Sequence, residues 1–555
     1  SMQSNRLKMD VIASQRWMMD FSGYNFRIPI QDAGAMCIMG SYNKINGTKA
    51  AESSMLLRTI LRERWGFPFY VVSDWANIDD ARNAARAGTE ICMGSSIYEA
   101  DLPALVENGH ITMAQIDNAV KNILRTKILN GMLDYYPAGS ESNVKTKEIT
   151  DLNLLAAKKS IILLKNEISG TNPVLPLRKT GIKIALIGPN AIAENLNCSG
   201  SSATNPPYAI SVRKGLEDKI GSASIVYAKG CDINSTSKTG FAEAKALAAT
   251  ADYVIFAGGL DNTQEGEQSF GPHNDRVGGS FALPAIQQEL MNELASVNPN
   301  LIAIIQSGGV CTLNDCLSNI KGLIYSFYAA QEAGHAIADV VFGDYNPAGR
   351  MPLSMPMQDS DFPAWEEEVF RKFEQNLDGG YRWLDEKGIT PRYAFGYGLS
   401  YTDFAYSNLQ MPATVTTGQP FTVTVDVKNT GARAGEEVVQ LYISAPTDKV
   451  WMPKKELRGF QRIKLEVGET KTVTFNFCAD DFYYWNQTGR KYEVQSGNYM
   501  FRVGGSSDNL PISQMISFVS GTAKPDLRVT RVYTMPRYPQ KGQKVSFYAL
   551  VKNQG

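Results

Sequence analysis

A chain of 555 residues exceeds what one hydrophobic core ordinarily serves, so it is expected to fold as about two to four domains. Hydrophobic residues make up 43% of it, and adding glycine brings the apolar share to about half, which excludes a disordered chain. The 55 Lys and Arg nearly cancel the 56 Asp and Glu, and a formal charge of -1 excludes a general attraction to nucleic acid or anionic lipid and favours a neutral partner.

From 1 to 135 the pattern alternates helix and buried strand: a helix over 5–20, the strand "AMCIMGSYN", the helix "AESSMLLRTILRERWGF", the strand "FYVVSD", the helix "DDARNAARAG" and the short strand "TEICM". Such alternation implies parallel strands with helices outside, but three strands are too few to close a barrel. "LPALVENGHITMAQIDNAVKNILRTKILNGML" adds two helices joined across Gly109. A polar linker over 136–152 precedes a second α/β unit, 153–352, with the strands "IKIALIGPN", "DYVIFAGGLDN", "NLIAIIQSGG" and "GLIYSFYAA". Its glycines lack the GxGxxG spacing of a dinucleotide fold. After a connecting segment, 353–404, short alternating runs over 405–519 spell an all-β sandwich of immunoglobulin or fibronectin type III character, and 524–555 starts a further Ig-like piece.

Seven cysteines are scattered without CxxC spacing and three histidines stand far apart, so neither a disulfide framework nor a metal site is indicated, and no cofactor is expected. No run is long enough for a membrane span and no signal peptide opens the chain. The chain opens in a helical pattern and stops at "FYALVKNQG" within a strand pattern, so a fragment of a longer protein is expected.

Chemistry concentrates at "YVVSDWANIDDARNAARAG", where a buried strand ends in Asp74 followed by Trp75. The carboxyl ends of parallel strands are where α/β active sites assemble. Asp74 therefore reads either as a catalytic carboxylate or as the N-cap of the following helix. Trp75 suits the apolar face of a sugar ring or a place in the core.

"GSYNKINGTKAAESSMLLRTILRERWGFPFYVVSDW" resembles glycoside hydrolase family 3, as do "FGDYNPAGRMPLSMP", "PRYAFGYGLSYTDF" and "KELRGFQRIKLEVGETKTVTF", in order over about 1–520. The resemblance implies a (β/α)₈ barrel, an α/β sandwich and a fibronectin type III-like domain, with the first two sharing one active site. It makes the three N-terminal strands the last three of the barrel, makes Asp74 the nucleophile, and leaves out the earlier strands with their Lys-His pair. It takes the acid/base from the loop after "VIFAGGLDN", where Glu267 is favoured and Glu265 is next. The loop departs from the family's Glu-x-Glu-Gly-x-Asp-Arg at Gln268 and carries an insertion before Asp275-Arg276. Tyr42 resembles the family tyrosine beside the nucleophile, Arg276 reads as a structural anchor, and His273 as exposed.

The implied activity is that of a retaining, exo-acting β-glucosidase on an oligosaccharide or β-glucoside, with a β-xylosidase as the alternative and a non-catalytic carbohydrate-binding or assembly fragment as a third reading. A homo-oligomer or a partner segment would complete the barrel. The terminal piece resembles CARDB, a cell-adhesion-related bacterial domain, which implies an extracellular or periplasmic location.

Overall fold

Around the strand Tyr70–Ser73 the N-terminal unit is built from short pieces. It pairs in parallel with Cys37–Gly40, from Cys37 opposite Tyr70 to Gly40 opposite Ser73. "TEICM" contributes one parallel bridge, Ile91 to Val72, so the third expected strand is almost lost. The segment Met55–Arg64 winds as a π-helix and buries Leu57, Ile60 and Leu61 with Trp65, Phe67 and Val71 in one cluster. Helices Ala81–Ala87, Ile97–Glu107 and Met113–Leu129 follow, the last opened by a capping box between Thr112 and Gln115. The result is a half-barrel sheet with helices after its strands. This computed structural model describes residues 6–134, 146–194, 196–267, 276–363, 372–375, 379–521, 527–535 and 546–553. Most of the expected linker, and His273, fall outside them.

The helix expected over 5–20 is not formed. Asp10–Ala13 is a strand, paired in parallel with Lys44–Ile45 and with Lys372–Gln375 from the connecting segment, and a helix begins only at Trp17. Val11 and Ile12 are β-branched and favour extended backbone. The Asn46 side chain then accepts from the Ala13 N–H at 2.9 Å and donates to its carbonyl at 3.0 Å, a tertiary clamp that no local periodicity reports. Asn46 leads the two-residue Asn-Gly turn between Lys44–Ile45 and Thr48–Lys49, and its φ of 50° is one that Asn tolerates better than most residues.

The second unit is a six-stranded sheet in the order Ile225–Ala228, Ile184–Ile187, Tyr253–Gly259, Leu301–Gln306, Gly322–Tyr325, Ile162–Asn166. All neighbours are parallel except the last pair. Alternate residues feed two cores: Ala185 and Ile187 pack on one face, Ile184 and Leu186 on the other. Burial on both faces explains why these strands read as continuous apolar runs. All seven cysteines are free thiols.

The third unit packs a three-stranded sheet against a five-stranded one over a core that includes Val425, Leu441, Phe475 and Phe501. Its Trp485 enters the N-terminal unit's cluster, and the Trp485 N–H donates to both Asp20 carboxylate oxygens at 2.8 and 3.0 Å. Beyond it Leu527–Met535 and Ser546–Asn553 form an antiparallel pair. Among the described residues no helix is long and apolar enough to cross a membrane.

Candidate active site

The chain turns sharply at the carboxyl end of Tyr70–Ser73. The Asp74 N–H donates to the Gly40 carbonyl at 3.1 Å, the Asn77 N–H donates back to the Asp74 carbonyl at 3.2 Å, and Ala76 is held at φ 52°, a strained value for a residue with a Cβ. Asn77, fully buried, donates to the Ser41 carbonyl at 2.7 Å and so ties this turn to the segment that carries Tyr42. The helix that follows is capped by Asp80, whose side chain accepts from the Asn83 N–H at 2.9 Å. That corrects the capping alternative for Asp74: its carboxylate stands free of the helix, half-buried, accepting from the Trp75 N–H at 2.6 Å.

Trp75 is not in the core. It is 64% exposed, with its indole laid over Gly94 so closely that a Cβ there would stand 2.5 Å from the ring. A flat aromatic face is thus offered to solvent beside Asp74, the geometry in which aromatic side chains receive apolar ring faces.

Tyr42 hydrogen-bonds Asp74, and its hydroxyl is raised above the usual tyrosine value by burial first and then by the Asp74 carboxylate. It therefore stays protonated and donates to Asp74. Over its ring, 5.1 Å from the centroid, lies the guanidinium of Arg6, whose Nη2 pairs with Glu267 Oε1 at 3.0 Å. Arg6 also holds two buried donors, Nε and Nη1, that meet no acceptor. The N-terminal unit and the sheet unit thus meet through an unbroken sequence of contacts, Asp74 to Tyr42 to Arg6 to Glu267. Arg6 and Asn77 were not singled out from the sequence; the buried strand after Arg6 was the only local signal, and a helical reading of 5–20 hid it.

Glu265 and Glu267 have opposite surroundings. Glu265 is 5% exposed, pairs with Arg276 Nη2 at 3.0 Å and accepts from the Gly308 N–H. Arg276 is further fixed by the Val310 carbonyl at 2.7 Å. Burial and the adjacent Glu265 carboxylate push the Tyr328 hydroxyl well up. Glu265 is thus engaged inside the sheet unit. Glu267 lies at the edge of that unit, held by a neighbouring loop: its N–H donates to the Ser199 carbonyl at 3.2 Å, and the Ser201 N–H donates to its Oε2 at 3.0 Å. Gly200 lets this loop close in, since a Cβ there would come within 2.5 Å of the Glu267 Cβ, and its φ of 87° disfavours other residues.

The chain matches known sequences along most of its length. Residues 5–126 match the glycosyl hydrolase family 3 N terminal domain, 161–401 the glycosyl hydrolase family 3 C-terminal domain and 437–507 a fibronectin type III-like domain. It is 30% identical over 540 residues to thermostable beta-glucosidase B of Acetivibrio thermocellus, covering 95% of this chain and 69% of that protein. It is 33% identical over 514 residues to a beta-xylosidase of Formosa agariphila, covering 87% of this chain and 69% of the other. Among solved structures, beta-D-glucoside glucohydrolase from Trichoderma reesei superposes with a TM-score of 0.84 at 27% identity, over 93% of this chain and 77% of that one. Matched by both of the family's domains and, over 95% of its own length, by a relative 30% identical to it, this chain belongs to glycosyl hydrolase family 3 and is a glycoside hydrolase.

Proposed function

We propose that the chain carries the active site of a retaining, exo-acting β-glucosidase, with Asp74 as nucleophile and Glu267 as acid/base. The observation that carries this reading is the contact sequence Asp74–Tyr42–Arg6–Glu267, set against a Glu265 already committed to Arg276 and the Gly308 N–H. Retaining hydrolysis needs two carboxyl groups flanking one glycosidic oxygen, one to attack and one to give a proton. Asp74, steadied by the Tyr42 hydroxyl, attacks the anomeric carbon as Glu267 protonates the leaving oxygen. The glycosyl ester on Asp74 is then opened by water, whose proton returns to Glu267, and the product keeps its anomeric configuration.

Arg6 has a part in this sequence. Its ion pair occupies a Glu267 oxygen, so a sugar has to draw the guanidinium away before the first step. The unpartnered Nε and Nη1 supply donors for sugar hydroxyls as that happens. Trp75 receives the apolar face of the ring.

A β-xylosidase is the second reading, favoured by the 33% identity to the Formosa agariphila enzyme. Comparing kcat/KM on matched aryl β-glucosides and β-xylosides decides between them, the β-glucosidase reading requiring the higher value on the glucoside. Azide rescue tests the acid/base. Glu267→Ala is expected to slow an unactivated β-glucoside by ~10²–10⁴-fold, whereas on a dinitrophenyl β-glucoside, whose leaving group needs no proton, azide should restore turnover by opening the glycosyl ester and yield a β-glucosyl azide. Rescue in Glu265→Ala instead would move the role to Glu265.

A further inference from the structure

Between the N-terminal unit and the β-sandwich lies a cavity unrelated to the catalytic carboxylates. It has a volume of about 20 Å³, room for about one water-sized sphere. Four guanidinium groups line it, those of Arg16, Arg27, Arg382 and Arg458, against two carboxylates, Asp20 and Glu456.

Both carboxylates are already engaged. Asp20 accepts from Arg16 Nε at 3.1 Å and from the Trp485 N–H through both oxygens. Glu456 takes Arg382 Nη1 on one oxygen and Arg458 Nη2 on the other, each at 2.8 Å. Arg16 reaches no further oxygen among the described residues: its Nη2 meets the Met452 sulfur at 3.0 Å. Arg27 has no carboxylate at all among the described residues. It is 9% exposed, its Nε is buried without an acceptor, and its guanidinium lies only over the rings of Tyr24 and Tyr492, 5.5 and 5.0 Å from their centroids. The Nε atoms of Arg382 and Arg458 are buried and unpartnered as well. A buried cation without a counter-charge is strongly disfavoured, and two ring faces supply only a fraction of the stabilisation that an anion would. Space for one water-sized sphere suits a single small ion.

We propose that this cavity is a site for a monatomic anion, chloride in ordinary media, with Arg27 as its principal ligand. The bound ion would balance a cluster drawn from three segments: Arg16 and Arg27 of the N-terminal unit, Arg382 of the connecting segment, and Arg458 of the β-sandwich. Its role is to fasten the sandwich to the N-terminal unit.

Crystals soaked in sodium bromide test this, together with thermal unfolding in sodium chloride and sodium gluconate at equal ionic strength. The proposal expects an anomalous bromide peak in contact with the Arg27 guanidinium. It also expects an unfolding midpoint that rises by ~1 °C or more per tenfold increase of chloride above its dissociation constant, but not with gluconate, and that loses this dependence in Arg27→Gln. Matched ionic strength removes general screening from the comparison. Bromide that fills other positions and leaves this one to a water or a carboxylate would overturn the proposal, as would identical midpoints in the two salts. Should Arg27→Gln fail to fold, the bromide map of the wild type still decides.

Discussion

Glu265 and Glu267 show how little separation along the chain is needed to give two carboxylates different surroundings. The family resemblance favoured Glu267 over Glu265, but spacing alone does not divide them, since residues two apart along an extended segment lie on one face. What separates them is the turn that follows the short bridge at Gly266, together with partners distant in sequence: Arg276 and Gly308 for one, Arg6 and Ser201 for the other. Glu265→Gln is expected to weaken the native fold by ~3–5 kcal/mol, since it leaves the buried Arg276 cation uncompensated. Denaturant unfolding measures it, and any loss of activity should track loss of folded protein. Tyr42→Phe should fold normally yet lower kcat by ~10–100-fold, the loss of one hydrogen bond to a charged nucleophile. Steady-state kinetics beside circular dichroism separates the two outcomes. Asp74 stood out in the sequence at the tip of a buried strand, but an N-cap role was equally open there and the nucleophile role came from the family resemblance; Arg6 did not stand out, because its importance comes from partners brought to it by folding.

At the scale of elements, strands buried on both faces were the easiest to read, as the continuous apolar runs "IALI" and "LIAIIQ" of the second unit became Ile184–Ile187 and Leu301–Gln306. Short strands held by tertiary partners were the hardest. Asp10–Ala13 owes its extended form to pairing on both sides and to the Asn46 clamp, all outside any local window. Asn46→Ala should cost about 2–3 kcal/mol, the sum of two lost hydrogen bonds and an unfavourable φ. Thermal unfolding checks it, and hydrogen exchange should report faster opening at Ala13 than at Ile187. An unchanged exchange rate at Ala13 would mean that strand pairing alone fixes the segment.

At the scale of the molecule, the order of α/β units before the β-sandwich was visible in the change from βα alternation to short alternating strands near residue 405, but how the units dock was not, because docking uses isolated charges. Glu436 of the β-sandwich is one. Burial raises its carboxyl, yet Arg462, Lys159 and Tyr345 more than offset this and hold it below the ordinary 4.5, and Lys159 and Tyr345 belong to the sheet unit and its end. A depressed carboxyl stabilises the folded form above its unfolded value and loses that contribution as pH falls through the folded one. Stability should therefore decline below pH 4.5, and in Glu436→Gln that part of the decline should vanish. Unfolding midpoints across the acid range give the comparison.

The central claim is that Asp74 attacks the sugar. An activated 2-deoxy-2-fluoro-β-glucoside slows release of the glycosyl ester, so the nucleophile stays labelled long enough for peptide mass mapping. The account predicts one added fluoroglucosyl group on the peptide containing Asp74, absent in Asp74→Asn. A label on any other carboxylate, or turnover of an aryl β-glucoside unchanged by Asp74→Asn, would contradict it.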